Sequence, residues 1–246
     1  LKPLIRLIWK NADIVIAKCS AEAEMIHEID PKVRVTIIPN GVDTDQYIPG
    51  DPIPDDGPLK LLCVARLIKR KGQHHLIEAV KRITDQGIGI TLDLVGSGDA
   101  DREYRELVEA LQVEEQVKFK GYIPREEIPT TYSQAHVFVL PSYNEGMSVA
   151  TLEAMASGLP VIVSRTPGTE ELVREGENGL TFDWGDIDML TQHVLALDSD
   201  RNLARKMALE SRIQAHKFSW DSSSKTFERI FFSKDFTQSD GQEIKS

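Results

Sequence analysis

From residue 59 onward the chain alternates short, nearly continuous apolar runs with stretches in which apolar residues recur every three or four positions. The runs at 59–65, 90–95, 117–119, 137–140 and 161–163 read as strands, too apolar throughout for a sheet with one face in water. Between them, Leu76, Ile77, Val80 and Ile83 form one stripe of a helix over 72–86. Tyr104, Leu107, Val108 and Leu111 do the same over 101–111. Further helices are expected at 126–133, 149–157, 169–174, 187–197 and 202–217, with a last one starting at Trp220 and a frayed polar tail after Asp235.

The residues before 59 make a smaller pattern of the same kind: a strand at 13–17, a helix at 21–28 and a strand at 33–38. Pro39-Asn40-Gly41-Val42-Asp43 then forms a turn, and 49–58 is too rich in Pro and Gly for regular structure. The expected organisation is a first unit over 1–38, a linker over 39–58, a main domain over 59–218, and a C-terminal helix and tail over 219–246. Buried strands separated by helices imply a parallel sheet covered on both faces. With right-handed crossovers the main domain is therefore an α/β, Rossmann-like, doubly wound fold.

Composition narrows the partners. With 246 residues and 41% hydrophobic content, a core forms without disulfides or a structural metal. A formal net charge of −10 argues against a nucleic-acid footprint. The two cysteines, Cys19 and Cys63, have no partner spacing, which fits a reducing, cytoplasmic setting. No run of apolar residues is long enough to span a membrane. The first ten residues lack an initiator Met and a signal-peptide cleavage site, and the pattern starts partway through, so a piece of a longer chain is expected.

The chemistry gathers on the loops that follow the strands, which is where open α/β sheets bind ligands. Arg66-Leu67-Ile68-Lys69-Arg70-Lys71-Gly72 follows the first strand of the main domain, a basic loop ending in Gly before a helix. Arg66 can make a forked contact to a phosphate, and Lys71 acts as a point charge. Val95-Gly96-Ser97-Gly98 follows the second strand and lacks the third glycine of a dinucleotide fingerprint. Lys120-Gly121-Tyr122-Ile123-Pro124 offers backbone to a base edge. After the fourth strand, Glu145 stands on the loop and Glu153 about a turn inside the next helix. The acids of Pro167-Gly168-Thr169-Glu170-Glu171 read as capping groups. The six histidines have no ligand spacing, His74 and His75 are expected to be half exposed, and no Asp-x-Asp pair is placed to hold a cation at a diphosphate, so no metal is expected. Cations, glycines, a base-sized platform and two carboxylates suit a nucleoside diphosphate joined to a polyhydroxyl group.

These residues resemble a known family. Glu145 and Glu153, within Pro141-Ser142-Tyr143-Asn144-Glu145-Gly146-Met147-Ser148 and Leu152-Glu153-Ala154-Met155-Ala156-Ser157-Gly158-Leu159-Pro160, are similar to the signature of family 4 retaining glycosyltransferases of the GT-B fold. The likeness extends through Pro39-Asn40-Gly41-Val42-Asp43, Gly168-Thr169-Glu170-Glu171 and Gly176-Glu177-Asn178-Gly179. It implies that Arg66 and Lys71 grip the donor diphosphate and that Glu145 meets the transferred sugar, aided by the backbone at Gly146, Met147, Ser148 and Val149. It places Glu153 on the ribose and Tyr122 and Ile123 near the base, with Gly96 and Gly98 also lining the donor site. Ser148 stands where glycine is common and Glu170 where proline is common.

The resemblance also implies no metal or other cofactor, a nucleotide-sugar donor (a UDP-sugar by default, with GDP and ADP open) and an unknown acceptor. Residues 1–38 would be the tail of an N-terminal, acceptor-side domain that is otherwise missing, through which peripheral membrane contact stays open. This chain alone would then bind donor weakly without turnover. A non-catalytic nucleotide-binding module and a nucleotide-sugar epimerase are the alternatives.

Overall fold

The computed structural model describes residues 2–232. Its first part comprises α1 (Lys2–Trp9), β1 (Val15–Ala17), α2 (Ser20–Ile29) and β2 (Val35–Ile37). The larger part runs β3 (Leu59–Val64), α3 (Gln73–Thr84), β4 (Ile90–Val95), α4 (Asp101–Leu111), β5 (Val117–Gly121), α5 (Ile128–Ser133) and β6 (Val137–Leu140). It continues with α6 (Val149–Ala156), β7 (Val161–Ser164), α7 (Thr169–Leu172), β8 (Gly179–Phe182), α8 (Ile187–Ser199) and α9 (Arg201–His216), followed by α10 (Trp220–Phe232).

Six strands form one parallel sheet in the order β5-β4-β3-β6-β7-β8. The chain winds outward from β3 to β5, returns to the middle, and winds outward again from β6 to β8. Helix α3 packs on α4 and α8, while α6 packs on α5 and α9, so the two windings cover opposite faces. The expected doubly wound parallel sheet is the one observed. Its core includes Leu61, Leu62, Leu92, Leu94, Phe138, Val139, Ile162 and Val163 from the strands, with Leu76, Val80, Leu152 and Met155 from the helices. The direction of winding reverses between β3 and β6, and their loops diverge there into a crevice.

Three features differ from the sequence expectations. Strand β8 went unpredicted: Gly179-Leu180-Thr181-Phe182 is short and carries little apolar signal, yet it pairs with β7 along its whole length. Helix α1 was also missed. Its Leu4, Leu7 and Ile8 recur at helical spacing and remain exposed. His75 is buried rather than half exposed, because its ring lies against Trp184 with centroids 5.0 Å apart. The expected tail after Asp235 lies outside the described residues.

Strands β1 and β2 pair with each other in parallel, apart from the large sheet. The segment after them is irregular but firmly held. Arg212 donates from Nη1 to the carbonyl of Tyr47 at 2.6 Å and from Nη2 to that of Thr44 at 2.7 Å, and it also reaches the carbonyl of Ala156. Tyr47 and Ile53 are buried in the main core. Val42 exchanges backbone hydrogen bonds with Phe218 and Trp220 at 2.8 and 3.1 Å, tying the segment to the start of α10.

Candidate functional site

The crevice is built from the loops after β3 and β6, and glycines bring them together. Gly72 ends the basic loop in the left-handed region, φ 69°, and any side chain there would strike the carbonyl of Pro141. Gln73, fully buried, donates from Nε2 to the carbonyl of Arg66 at 2.9 Å and holds the loop against the start of α3. From the other side, Tyr143 N–H donates to the carbonyl of Arg70 at 2.8 Å. Gly96 and Gly98 touch the backbone of Ala65 and Leu67, where a side chain would not fit. These two glycines thus have a packing role beside the one expected on the donor.

The geometry joins the two charged residues that the sequence placed on separate loops. Lys71 Nζ forms an ion pair with Glu145, their side chains only 16% and 18% exposed. Partial burial of such a pair strengthens the attraction and raises the cost of leaving either charge alone. Arg66 opens the same basic loop, five positions before Lys71. Its side chain is exposed and has no ion-pair partner among the described residues. Tyr122 is 76% exposed, and Ile123 is partly buried against the core.

Gly146, Met147 and Ser148 lead from Glu145 into α6. Ser148 is the N-cap, its Oγ accepting from Thr151 N–H at 3.2 Å, so the departure from glycine supplies a cap. Val149, exposed, opens the helix, whose first amides point toward the crevice end of the sheet. Gly168 packs on the carbonyl of Gly146, and Glu145 accepts from Gly168 N–H through its backbone at 3.4 Å. Glu170 and Glu171 lie in the first turn of α7, though neither caps it through a side-chain hydrogen bond. The Glu171 carboxylate takes the amide of Ser20, joining α7 to the first unit. Asn40 does similar work on the neighbouring loop, donating from Nδ2 to the carbonyl of Met147 at 2.8 Å.

Glu153 has a different setting. Tyr47 and Tyr132 donate their hydroxyls to its two oxygens at 2.8 and 2.9 Å. Both rings are buried, and they meet edge to face with centroids 5.7 Å apart. Burial pushes the Glu153 carboxyl above its usual range, and the two phenols pull the other way. Sequence reasoning missed Asn40, Tyr47, Tyr132 and Gln73. Only Asn40, inside the Pro39–Asp43 turn, lay in a motif that drew notice.

Among the described residues, no group of three or more His, Cys, Asp or Glu side chains is placed to hold a metal ion. No helix there is long and apolar enough to cross a membrane.

A parallel sheet wound in this order, with cations, glycines and a carboxylate at its reversal point, defines a Rossmann-like, doubly wound type of domain. Residues 47–214 match the family model described as "Glycosyl transferases group 1". The chain belongs to that family. It is 31% identical over 228 residues to the GDP-mannose-dependent alpha-(1-6)-phosphatidylinositol monomannoside mannosyltransferase of Mycolicibacterium smegmatis, covering 85% of this chain and 59% of the relative.

Among solved structures, sucrose-phosphate synthase from Thermosynechococcus elongatus superposes with a TM-score of 0.85 at 27% identity, covering 94% of this chain and 60% of that one. Anabaena HepE in complex with UDP and glucose gives a TM-score of 0.84 at 24% identity, covering 94% and 66%. These neighbours are GT-B glycosyltransferases, so the fold expected from the resemblance is present. The chain spans less than two thirds of the length of the curated relatives it matches.

Proposed function

We propose that this chain is the donor-binding half of a retaining glycosyltransferase, which moves a sugar from a nucleoside diphosphate sugar to an acceptor hydroxyl. The observation that carries the reading is the Lys71–Glu145 pair at the point where the sheet reverses, beside the capped start of α6. Across the crevice the two charges neutralise each other. When donor binds, Lys71 turns to the diphosphate together with Arg66, and Glu145 is released to accept from the sugar hydroxyls. The backbone of Gly146 to Val149 approaches the same groups. Glu153, already oriented by two phenols, takes the ribose, and the segment at Tyr122 and Ile123 meets the base.

In this reading the bond from the anomeric carbon to the diphosphate breaks through an oxocarbenium-like state. The incoming hydroxyl attacks from the face the diphosphate leaves. Arg66, Lys71 and the α6 amides stabilise the charge growing on the departing phosphate. The protein's own cations neutralise that charge, so turnover of the full-length enzyme should persist in EDTA. Residues 1–38 are assigned to the acceptor-side domain, because β1 and β2 pair only with each other and neither α1 nor α2 buries a residue fully.

A UDP-sugar is the first choice of donor. The mycobacterial relative's dependence on GDP-mannose makes that compound the second. A thermal-shift panel of UDP-, GDP- and ADP-sugars separates them. Stabilisation by one base class with its diphosphate, and none by the free nucleoside, is expected. A flat response across the panel would count against the reading, and robust transfer by this chain alone would overturn the assignment of the acceptor site elsewhere.

A further inference from the structure

On the face of the sheet covered by α3 and α4 lies an open groove of about 710 Å³. It is separate from the Glu153 corner, which sits in the α5–α6 layer. Tyr143 and Trp184 form its aromatic wall, 61% and 43% exposed, with ring centroids 5.0 Å apart and planes crossed at 75°. The wall is braced from beneath: His75 packs against Trp184, and His74 against His75 with centroids 4.0 Å apart. Arg70, Glu78 and the Lys69–Glu103 ion pair, 3.1 Å long, supply charges of both signs around it. Arg70 has no ion-pair partner among the described residues. Buried Nδ1 atoms of His74 and His75 lack hydrogen-bond partners.

Exposed, braced rings are costly on a surface unless something covers them. Their surroundings select the occupant. A purely apolar ligand would leave the surrounding charges without partners. A pyranose fits both demands, since its C–H face packs on an aromatic ring and its hydroxyl edges reach charged side chains. The volume lies within the range of small-molecule sites, enough for two or three sugar units. Tyr143 belongs to the same loop as Glu145, two residues before it.

We propose that this groove is a second, saccharide-binding site that holds part of the acceptor or product glycan away from the donor. Its role in transfer rests on the glycosyltransferase reading, while its chemistry stands on the groove alone. The test is titration of the 246-residue chain with maltotetraose, cellotetraose, chitotetraose and mannotetraose, read by tryptophan fluorescence and by saturation-transfer NMR. At least one should bind with millimolar affinity or better. Trp184→Ala and Tyr143→Ala should each weaken it about tenfold. Trp184→Phe, which keeps a ring and guards against misfolding, should retain most of it, and Trp184→Ala should leave nucleotide-sugar affinity unchanged.

Absence of binding by all four sugars, or binding indifferent to Trp184→Ala, overturns the groove assignment. If nucleotide-sugars still bind, the glycosyltransferase reading survives that result. Saccharide binding without any nucleotide-sugar binding would do the reverse.

Discussion

The two carboxylates of one short motif live in different worlds. Glu145 faces a cation, Lys71, across the gap between two loops. Glu153, eight positions on and partly buried, faces the hydroxyls of two buried phenols. An ion pair at a crevice can trade partners when an anion arrives, because the incoming charge replaces the one withdrawn. A partly buried acid clamped by neutral hydroxyls cannot trade so freely, but it is already aimed. Spacing alone made the two acids look alike; their neighbours assign one to exchange and the other to orientation.

The largest effects should come from removing the cations that serve the Glu145 corner. In the full-length enzyme, Arg66→Ala is expected to cost about 2–4 kcal/mol of transition-state stabilisation, measured as kcat/KM. An unchanged kcat/KM would remove Arg66 from the site. Breaking the other corner tests orientation instead. Tyr132→Phe strips a buried hydrogen bond from Glu153 and should lower stability by about 1–3 kcal/mol, seen in urea unfolding. It should also weaken nucleotide binding while leaving discrimination between sugars intact. Glu145→Gln should do the opposite, loosening discrimination while nucleotide affinity holds.

Glu153 further separates the corners by pH. Burial raises its carboxyl pKa in the folded state, so the fold binds more protons than the unfolded chain between the ordinary value and the raised one. Wild-type stability therefore loses ground as pH rises through that window. Glu153→Gln removes the effect, so its stability relative to wild type should improve from pH 4 to pH 7, measured by paired melts. A difference that stays flat would mean that burial does not control this acid. The smallest effect expected is that of Ser148→Ala, about 1 kcal/mol of stability from the lost cap of α6.

Much of this was legible in the sequence because strand and helix periods repeat strongly from residue 59 onward. The apolar runs at β3, β4, β6 and β7 announced a parallel sheet, and the loops after them announced the site. What escaped notice depends on contacts between distant parts. Phe182 is fully buried in β8, but its strand becomes recognisable only beside β7. Tyr47 lies 106 positions from the carboxylate it touches, in a linker without regular structure. Likewise only packing shows that Gly72 and Gly168 each let one loop approach another. The pairing of Lys71 with Glu145 needed the sheet order itself, since 74 residues separate them.

The central claim is that the loops after β3 and β6 hold a nucleoside diphosphate sugar by its phosphates. Calorimetric titration of UDP-glucose and GDP-mannose into the wild-type chain and into Lys71→Met tests it most directly. One donor should bind the wild type and bind the variant at least about tenfold more weakly, because a partly buried charge-assisted contact is lost. Donor affinity that is the same in both proteins would contradict the account.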